Sequence, residues 1–378
     1  MLASALIGCG RTGPAAATRP AIPHPSASPA RHVPRGPARG QAGPLSATFV
    51  SASDGWVLVG IRCGRAFCLR LQHTTDGGGR WTVVPSPQLA SPAIAGQVRA
   101  VRFADPKDGW LYGSGLFATH DGGRSWHPVA LPGLGRPLAE VAALAALDGV
   151  VDAIVVKGRN SNTGGPARLY VSDITRDDWR LVAGAGGSGG WGTLSVAGGV
   201  GYASVPRESF AGGGGPVVVT GLALFRSFDG RSWVRLPAPP CVTGIPAAAT
   251  STVLYLVCGG GAAAGSQDKP VYRSDNGGDT WLPVTSAPFG GDLDGAAASQ
   301  DTLLVSWGGG AAGIYASLDN GEHWVTAYAG QSPMGITEMG MITAARGYAI
   351  DSRSLLVMTR DAGRHWAVVR LAAEPGRA

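Results

Sequence analysis

The sequence predicts an all-β protein, a seven-bladed β-propeller of four-stranded antiparallel blades preceded by a disordered tether. Three observations predict this fold. The pattern Ser/Thr-x-Asp-x-Gly-x-x-Trp recurs along the chain, β-forming runs flank its copies, and the tryptophans that close it follow one another at intervals of 42 to 54 residues. A period in this range is typical of the four-stranded blade of a propeller. The tryptophans are Trp81, Trp126, Trp179, Trp233, Trp281, Trp324 and Trp366.

Each copy of the repeat is predicted to close the turn between the third and fourth strands of a blade. A short Asp or Asn side chain accepts hydrogen bonds from backbone N–H groups of the turn, Gly supplies the positive φ, and Trp covers the hairpin with its ring. Because the turns are spread around a ring, we expect their acidic residues to be structural rather than catalytic. The residues given this role are Asp76, Trp81, Asp121, Trp126, Asp229, Trp233, Asn276, Trp281, Asp319, Trp324, Asp361 and Trp366.

Three of the seven copies depart from the pattern. The copy that ends at Trp281 has Asn276 in place of Asp. The turn before Trp233 is one residue short, and around Trp179 only Ser172 fits, with Ile174 and Arg176 where Asp and Gly are expected. Six or eight blades therefore stay open as alternatives to seven. In the seven-bladed arrangement every blade takes four consecutive strands, so no strand is exchanged between the two ends of the chain.

These repeats resemble the Asp-box, or BNR, repeat of sialidases and of other propellers. The phrases Ser53-Asp54-Gly55-Trp56 and Pro106-Lys107-Asp108-Gly109-Trp110 are similar to a turn of the photosystem II assembly-factor family and its non-photosynthetic relatives, where the turn joins the first two strands of a blade. The resemblance covers residues 45–378. It implies the fold and says little about activity, because the repeat occurs on proteins with unrelated activities.

The N-terminus resembles that of an exported bacterial lipoprotein. Leu6-Ile7-Gly8-Cys9 looks like a lipobox, which implies cleavage before Cys9, attachment of a diacylglycerol to it, and anchoring on the outer side of the cytoplasmic membrane. The run departs from a signal peptide in its short length and its lack of a preceding Lys or Arg, and an accidental Cys in a leader is the alternative. We divide the chain into the signal remnant at residues 1–9, a Pro/Ala/Arg-rich disordered linker at 10–44 and the propeller at 45–378.

The other four cysteines form two local pairs, Cys63 with Cys68 and Cys241 with Cys258. Both pairs are predicted to be disulfides, which form in an oxidising compartment, and their spacing does not suit a metal site. Of the formal net charge of +6, residues 1–44 carry five arginines and no acid, so the remainder is nearly neutral. We therefore expect no nucleic-acid partner. No cofactor is expected, because the glycine runs lack the setting of a phosphate loop.

The predicted inner strands are rich in Ala and Gly, which suits strands that converge on an axis. Ligands are expected on the face that carries the loops between second and third strands and those between blades. From the second–third loops the candidates at this rim are Arg62, Arg65, Lys157, Arg159, Asn160, Arg207, Glu208, Asp351 and Arg353. From the loops between blades they are Arg136, Asp292, Asp294 and Glu338. Such a mixed-charge rim suits a polar or peptide partner, and ordinary solvated loops are the alternative.

Three functions are open. The first is a non-catalytic binding or assembly module, a monomer that binds a protein or glycan. The second is a glycoside hydrolase. A sialidase resemblance implies an Arg-Ile-Pro motif on the first inner strand, but the predicted strand 46–50 has no Arg and the motif occurs nowhere. A carboxylate pair of Asp292 or Asp294 opposite Glu338 stays open. The third is a role in photosystem assembly proper, which the fold resemblance permits.

Overall fold

The structure is a computed structural model in which the described residues are organised mainly as short antiparallel β-strands. They form seven four-stranded antiparallel sheets and one additional two-stranded ribbon. Strands follow chain order within every sheet, so each blade is one consecutive segment of chain. The predicted fold class is confirmed, with seven blades. The described residues are 43–133, 139–157, 166–188, 191–210, 217–260, 262–263, 266–309, 311–330, 335–351 and 353–372.

The first four blades contain sixteen strands. Blade 1 consists of β1 Pro44–Phe49, β2 Gly55–Cys63, β3 Ala66–Thr74 and β4 Thr82–Val84. Blade 2 consists of β5 Val98–Phe103, β6 Gly109–Gly113, β7 Leu116–Thr119 and β8 His127–Pro128. Blade 3 consists of β9 Ala139–Leu147, β10 Val150–Lys157, β11 Ala167–Asp173 and β12 Arg180–Gly187. Blade 4 consists of β13 Thr193–Ala197, β14 Val200–Phe210, β15 Val217–Ser227 and β16 Val234–Arg235.

The last three blades follow the same plan. Blade 5 consists of β17 Gly244–Ala248, β18 Leu254–Cys258, β21 Val271–Ser274 and β22 Leu282–Pro283, interrupted by the ribbon strands β19 Ala262–Ala263 and β20 Ser266–Gln267. Blade 6 consists of β23 Asp292–Ser299, β24 Thr302–Gly308, β25 Ala312–Ser317 and β26 Val325–Gly330. Blade 7 consists of β27 Ile336–Met341, β28 Gly347–Asp351, β29 Leu356–Thr359 and β30 Ala367–Val368.

The helical segments of the described chain are short and lie between blades 1 and 2. They are a 3-10 turn at Pro87–Ala90 and the helix α1 at Pro92–Ala95. Among the described residues, no helix has the length and apolar character needed to span a bilayer.

Seven apolar cores hold the blades together, one at each contact between neighbouring blades. Each core contains the repeat tryptophan of one blade packed against strands of the blade before it. Trp126 of blade 2, for example, lies with Leu58 and Leu71 of blade 1. The core around Trp81 joins blade 1 to Tyr348 of blade 7, and this contact closes the ring. The tryptophans therefore stabilise the contacts between blades as well as their own hairpins.

The repeat turns share one hydrogen-bond pattern. In blade 2, Thr119 Oγ1 donates to Asp121 Oδ1 over 2.8 Å and accepts from Gly123 N over 2.9 Å. Asp121 Oδ1 also accepts from the backbone N of Arg124 and of Ser125, each at 2.9 Å. Burial acts to raise the pKa of Asp121, but a hydrogen bond from the Ser125 hydroxyl, together with those from the Ser125 backbone, the Thr119 hydroxyl and the Arg124 backbone, outweighs it and lowers the pKa to about 2. Its carboxylate is fully engaged in holding the turn.

Blade 3 builds the same kind of turn from different residues. Asp178, next to Trp179, takes the place of the missing repeat aspartate: its Oδ1 accepts from Ser172 Oγ at 3.1 Å and from Asp173 N at 2.9 Å. Trp179 itself is buried between blades 2 and 3, like its counterparts. The incomplete motif therefore still marks a complete blade, because Asp178 supplies the turn carboxylate from a different position in the loop.

Replacing Asp178 with Ala is expected to lower the free energy of unfolding by about 1 kcal/mol, since two hydrogen bonds are lost at a solvent-exposed turn. Ser172→Ala should have a comparable effect, and the two substitutions together should cost less than the sum of the single changes because they remove one shared bond. Urea unfolding of the three variants measures this. Strict additivity would show that the bond contributes nothing.

Both predicted disulfides are confirmed: Cys63 is bonded to Cys68, and Cys241 to Cys258. The first links the ends of β2 and β3, and the second ties the segment before β17 to the end of β18. The signal remnant with Cys9 and residues 10–42 of the linker lie outside the described residues.

Candidate functional site

The seven first strands surround a cavity of about 600 Å³, which we call the central channel. Strands β1, β5, β9, β13, β17, β23 and β27 all contribute to its lining. Many of the lining positions are Ala or Gly, such as Ala145, Ala146, Gly295 and Ala296. Small side chains leave this space open on the axis, and its volume is within the range of ligand-binding pockets.

Five of the inner strands carry a β-bulge. A bulge adds one residue opposite its partner strand, which bends the strand and redirects side chains. The extra residue of β23 is Asp294, and that of β27 is Thr337. Both residues line the central channel. The extra residues of the other three strands are Leu45, Arg99 and Ala142.

A polar network of Arg102, Glu338 and Tyr348 lines the channel across blades 2 and 7. Arg102 Nε donates to the carbonyl of Leu144 at 3.1 Å, and its Nη2 lies 3.7 Å from Glu338 Oε1. Tyr348 Oη lies 3.0 Å from both Glu338 Oε1 and the carbonyl oxygen of Ala47. The network therefore also crosses blades 1 and 3, and it connects four blades around the axis.

Burial sets the electrostatics of this network. Burial raises the pKa of the Glu338 carboxyl above its ordinary value, although Arg102 acts in the opposite direction. Burial likewise raises the pKa of Tyr348, so its phenol stays protonated and remains a donor. Burial acts against the charge of Arg102, but Tyr112, Tyr348 and Glu338 together raise the pKa of its guanidinium. The channel thus holds a fixed positive group beside a carboxyl group that is easily protonated.

Asp294 is a second acidic group on the channel. Its Oδ2 accepts from Ile336 N at 3.3 Å, a bond that joins blade 6 to blade 7. Gly308 and Gly335 pack directly against the carboxylate, and a Cβ atom at either position would collide with it. Burial raises the pKa of Asp294, with a further contribution from Asp292. Asp294 and Glu338 are thus acidic groups on neighbouring inner strands.

Lys269 holds together the loops next to this site. It is fully buried, and its Nζ lies 2.9 to 3.1 Å from the carbonyl oxygens of Gln267, Pro288, Phe289 and Gly290. Burial lowers the pKa of Lys269, and nearby aspartates partly offset that effect. The lysine fixes the loop that leads into β23, and thereby the position of Asp294.

The structure brings two of the rim candidates together, Asp294 and Glu338, at the central channel. Arg65 is exposed in the turn between β2 and β3 as predicted, but Arg62 and Arg207 are exposed residues within the strands β2 and β14 and not in loops. Asp351 and Arg353 pair within one loop, with 3.2 Å between Oδ2 and Nη2. Asp292 is half-buried at the start of β23. Arg136, Arg159 and Asn160 lie outside the described residues, as do the side chains of Lys157 and Glu208.

Sequence reasoning missed Arg102, Tyr348 and Lys269. Arg102 had a usable signal: it is a charged residue in Val98–Phe103, a run that reads as an inner strand, where the equivalent runs carry Ala or Gly. Tyr348 and Lys269 had no such signal, because an aromatic residue in a strand and a lysine in a loop are common in globular domains.

Taken together, the blades and the channel define a seven-bladed β-propeller with a polar central cavity. No protein-family model matches the chain, and no curated protein matches it. The solved structure of YCF48 bound to D1 peptide superposes with a TM-score of 0.53 at 17% identity, covering 85% of this chain and 94% of that one. YCF48 from Cyanidioschyzon merolae gives 0.55 at 15%, covering 86% and 97%. At these identities the similarity shows the fold alone.

Glycosidases are also found among the structural neighbours. The GH74 enzyme of Niastella koreensis covers 86% of this chain and 71% of its own at 13% identity, with a TM-score of 0.31. A superposition this loose supports no functional argument.

Proposed function

We propose that this chain is a membrane-anchored, extracytoplasmic propeller that binds a protein segment or another polar ligand in its central channel without chemical turnover. The observation that carries the proposal is that both channel carboxyl groups are held in place by contacts within the protein. Glu338 contacts Tyr348 and Arg102, and Asp294 accepts from the backbone of Ile336. Groups fixed in this way suit recognition, because their hydrogen-bonding atoms are already in position and binding needs no reorganisation.

The chemistry of the channel indicates the kind of ligand. Arg102 supplies a cationic donor, and Asp294 and Glu338 supply acceptors, among Ala and Gly positions that leave the backbone accessible. A short peptide offers both signs of charge and a backbone that bonds to strand edges. The YCF48 neighbour bound to D1 peptide supports a peptide as the ligand class, since it shares the propeller fold.

The proposed location rests on two features. The two disulfides suit an oxidising compartment. The lipobox-like sequence ending at Cys9 provides the anchor. Mass spectrometry of the native protein tests the anchor: a mature chain that begins at acylated Cys9 supports it, and a chain that retains residues before Cys9 without acyl mass contradicts it.

Peptide binding is tested by probing an array of eight-residue peptides of varied sequence and charge with the purified full chain. We expect a subset to bind, and Arg102→Met to weaken that binding at least tenfold because it removes the cationic donor. Arg235→Met, on the exposed outermost strand of blade 4, is the control and should bind like the unmodified protein. Thermal unfolding of each variant verifies that it is folded.

A second variant keeps the test decisive if Arg102→Met proves unstable. Thr337 is exposed and lines the channel, so Thr337→Trp should fill the space and abolish binding while leaving the Arg102 network in place. If no peptide binds, or if binding survives the filled channel, the proposed function is wrong.

A glycoside hydrolase is the second candidate, and one observation favours it: Asp294 and Glu338 face one cavity, and burial raises the pKa of both. A retaining or inverting glycosidase uses two such groups, one of them protonated. Turnover in a panel of oligosaccharides, lost in both Asp294→Asn and Glu338→Gln, would establish this function and overturn the binding-only proposal.

A further inference from the structure

Away from the channel, two histidines and an aspartate meet between blades 2 and 3, on the face that carries the repeat turns. His120 lies in the repeat turn of blade 2, His127 opens β8, and Asp177 lies in the rebuilt turn of blade 3. His120 Nε2 is 3.1 Å from Asp177 Oδ2, and His127 Nε2 is 2.8 Å from the same oxygen. One donor atom from each residue lies within 4.8 Å of the others.

Outer contacts hold two of these three side chains in place. The second ring nitrogen of His120, Nδ1, lies 2.5 Å from Oδ1 of Asp108, a buried residue. The other carboxylate oxygen of Asp177 accepts from Nε1 of the buried Trp110 at 3.2 Å. An aspartate behind a histidine and a donor behind a carboxylate are the outer-shell contacts that orient ligands in metal sites.

The three side chains direct their polar atoms at one point. Nδ1 of His120 is paired with Asp108, so its Nε2 is the atom directed at Asp177 Oδ2. Nε2 of His127 is directed at the same carboxylate oxygen. An imidazole nitrogen and a carboxylate oxygen can each donate an electron pair, so a single divalent cation bound between these groups would contact all three.

We propose that His120 Nε2, His127 Nε2 and the Asp177 carboxylate form a Zn²⁺ site that joins blades 2 and 3. Two imidazoles and one carboxylate are typical ligands of Zn²⁺, whereas Ca²⁺ and Mg²⁺ take oxygen ligands. The side chains of His120 and His127 are 33% and 52% exposed, so the ion enters from solvent and a water completes the coordination.

The site explains why the turn of blade 3 departs from the repeat. With Asp178 bonded to Ser172 in the structural role, the loop presents Asp177 toward blade 2. Blade 1 provides an internal contrast: His73 Nε2 lies 2.5 Å from Asp54 Oδ1, but neither residue belongs to a converging group of three donors within the described residues. An isolated His–Asp pair therefore does not make a site, and His73 serves as the control.

The experiment uses the full chain, freed of metal with a chelator and titrated with ZnCl₂ by calorimetry. We expect one equivalent to bind, and His120→Gln, His127→Gln and Asp177→Asn each to weaken binding at least tenfold. Asp108→Asn should weaken it by about 10- to 100-fold through the outer contact. His73→Gln should bind like the unmodified protein. Excess Ca²⁺ or Mg²⁺ should not compete.

Cobalt gives a second readout that does not depend on stability. Co²⁺ in a site of this kind should produce visible absorption bands that Zn²⁺ removes, and His127→Gln, an exposed change, should lose them. A variant with the other five histidines replaced, His24, His32, His73, His323 and His365, should retain them. The proposal is overturned if Zn²⁺ does not saturate the unmodified protein, or if binding is unchanged in the three ligand variants. The cluster would then be a hydrogen-bonded network around Asp177 that stabilises the contact between blades 2 and 3.

Discussion

Gly123→Ala is expected to lower the free energy of unfolding by about 3 kcal/mol. Gly123 has a φ of +89°, a backbone conformation that costs an alanine about 1 to 2 kcal/mol. A Cβ atom there would also collide with the Leu71 side chain of blade 1, and overpacking of this kind costs about 1 to 3 kcal/mol. Urea unfolding of the full chain measures the sum.

Gly149→Ala is the matched control. Gly149 has a φ of +74°, yet nothing lies within 4 Å of the position where its Cβ atom would be. Its substitution should therefore cost only the backbone contribution, about 1 to 2 kcal/mol. The difference between the two variants isolates the contact between blades 1 and 2. Equal losses would mean that the repeat glycine serves the turn alone and not the packing of neighbouring blades.

The fold was predictable because the contacts between blades depend on features that are local in sequence. A repeat tryptophan and a residue with positive φ are local requirements, and they recur wherever a blade meets the one before it. That residue is a glycine in every blade except blade 3, where Asp177 has the positive φ. The spacing of Trp81 and its six counterparts thus reports seven contacts between blades, although the sequence pattern describes only hairpins. Local pairing also explains the two disulfides, whose cysteines are 5 and 17 residues apart.

The site was less predictable because its contacts join residues that are distant in sequence. Glu338 and Asp294 were found from the polarity of the segments between blades, but Arg102 contacts Glu338 only because closure of the ring brings blades 2 and 7 to one axis. The group of His120, His127 and Asp177 likewise depends on how blade 3 rebuilds its turn. Neither group of residues follows a regular sequence spacing, so neither could be recognised from a single sequence.

Asp152 is a buried acidic residue that no sequence motif marks, and its ionisation is expected to control how stability depends on pH. This aspartate on β10 is 2% exposed, and its Oδ1 accepts from Trp233 Nε1 of blade 4 at 3.1 Å. Asp152 lies against Gly230 in the repeat turn of blade 4, the turn that is one residue short. Burial raises its pKa to about 8, with a contribution from Asp229, while the bond from Trp233, Arg180 and Arg231 act in the opposite direction.

The raised pKa makes stability fall as pH rises. In the unfolded chain the carboxyl of Asp152 loses its proton near its ordinary pKa of 3.8, whereas in the folded chain it keeps the proton up to about pH 8. Between these values the folded state binds one more proton than the unfolded state. The free energy of unfolding therefore decreases by about 1.4 kcal/mol per pH unit in this window, and the stabilisation by the extra proton is complete only below the unfolded-state pKa.

Asp152→Asn should remove this slope, because the amide is neutral at every pH and its oxygen still accepts from Trp233. We expect the variant and the unmodified protein to differ least near pH 4, and the variant to become steadily more stable by comparison up to pH 8. Urea unfolding at intervals across this range measures the difference. Asp173→Asn is the control. Hydrogen bonds from Thr175 and Arg176 lower the pKa of Asp173 to about 2, so Asp173 makes stability depend on pH only below its ordinary pKa of 3.8. Parallel curves for Asp152→Asn and the unmodified protein would show that Asp152 is ionised in the folded state.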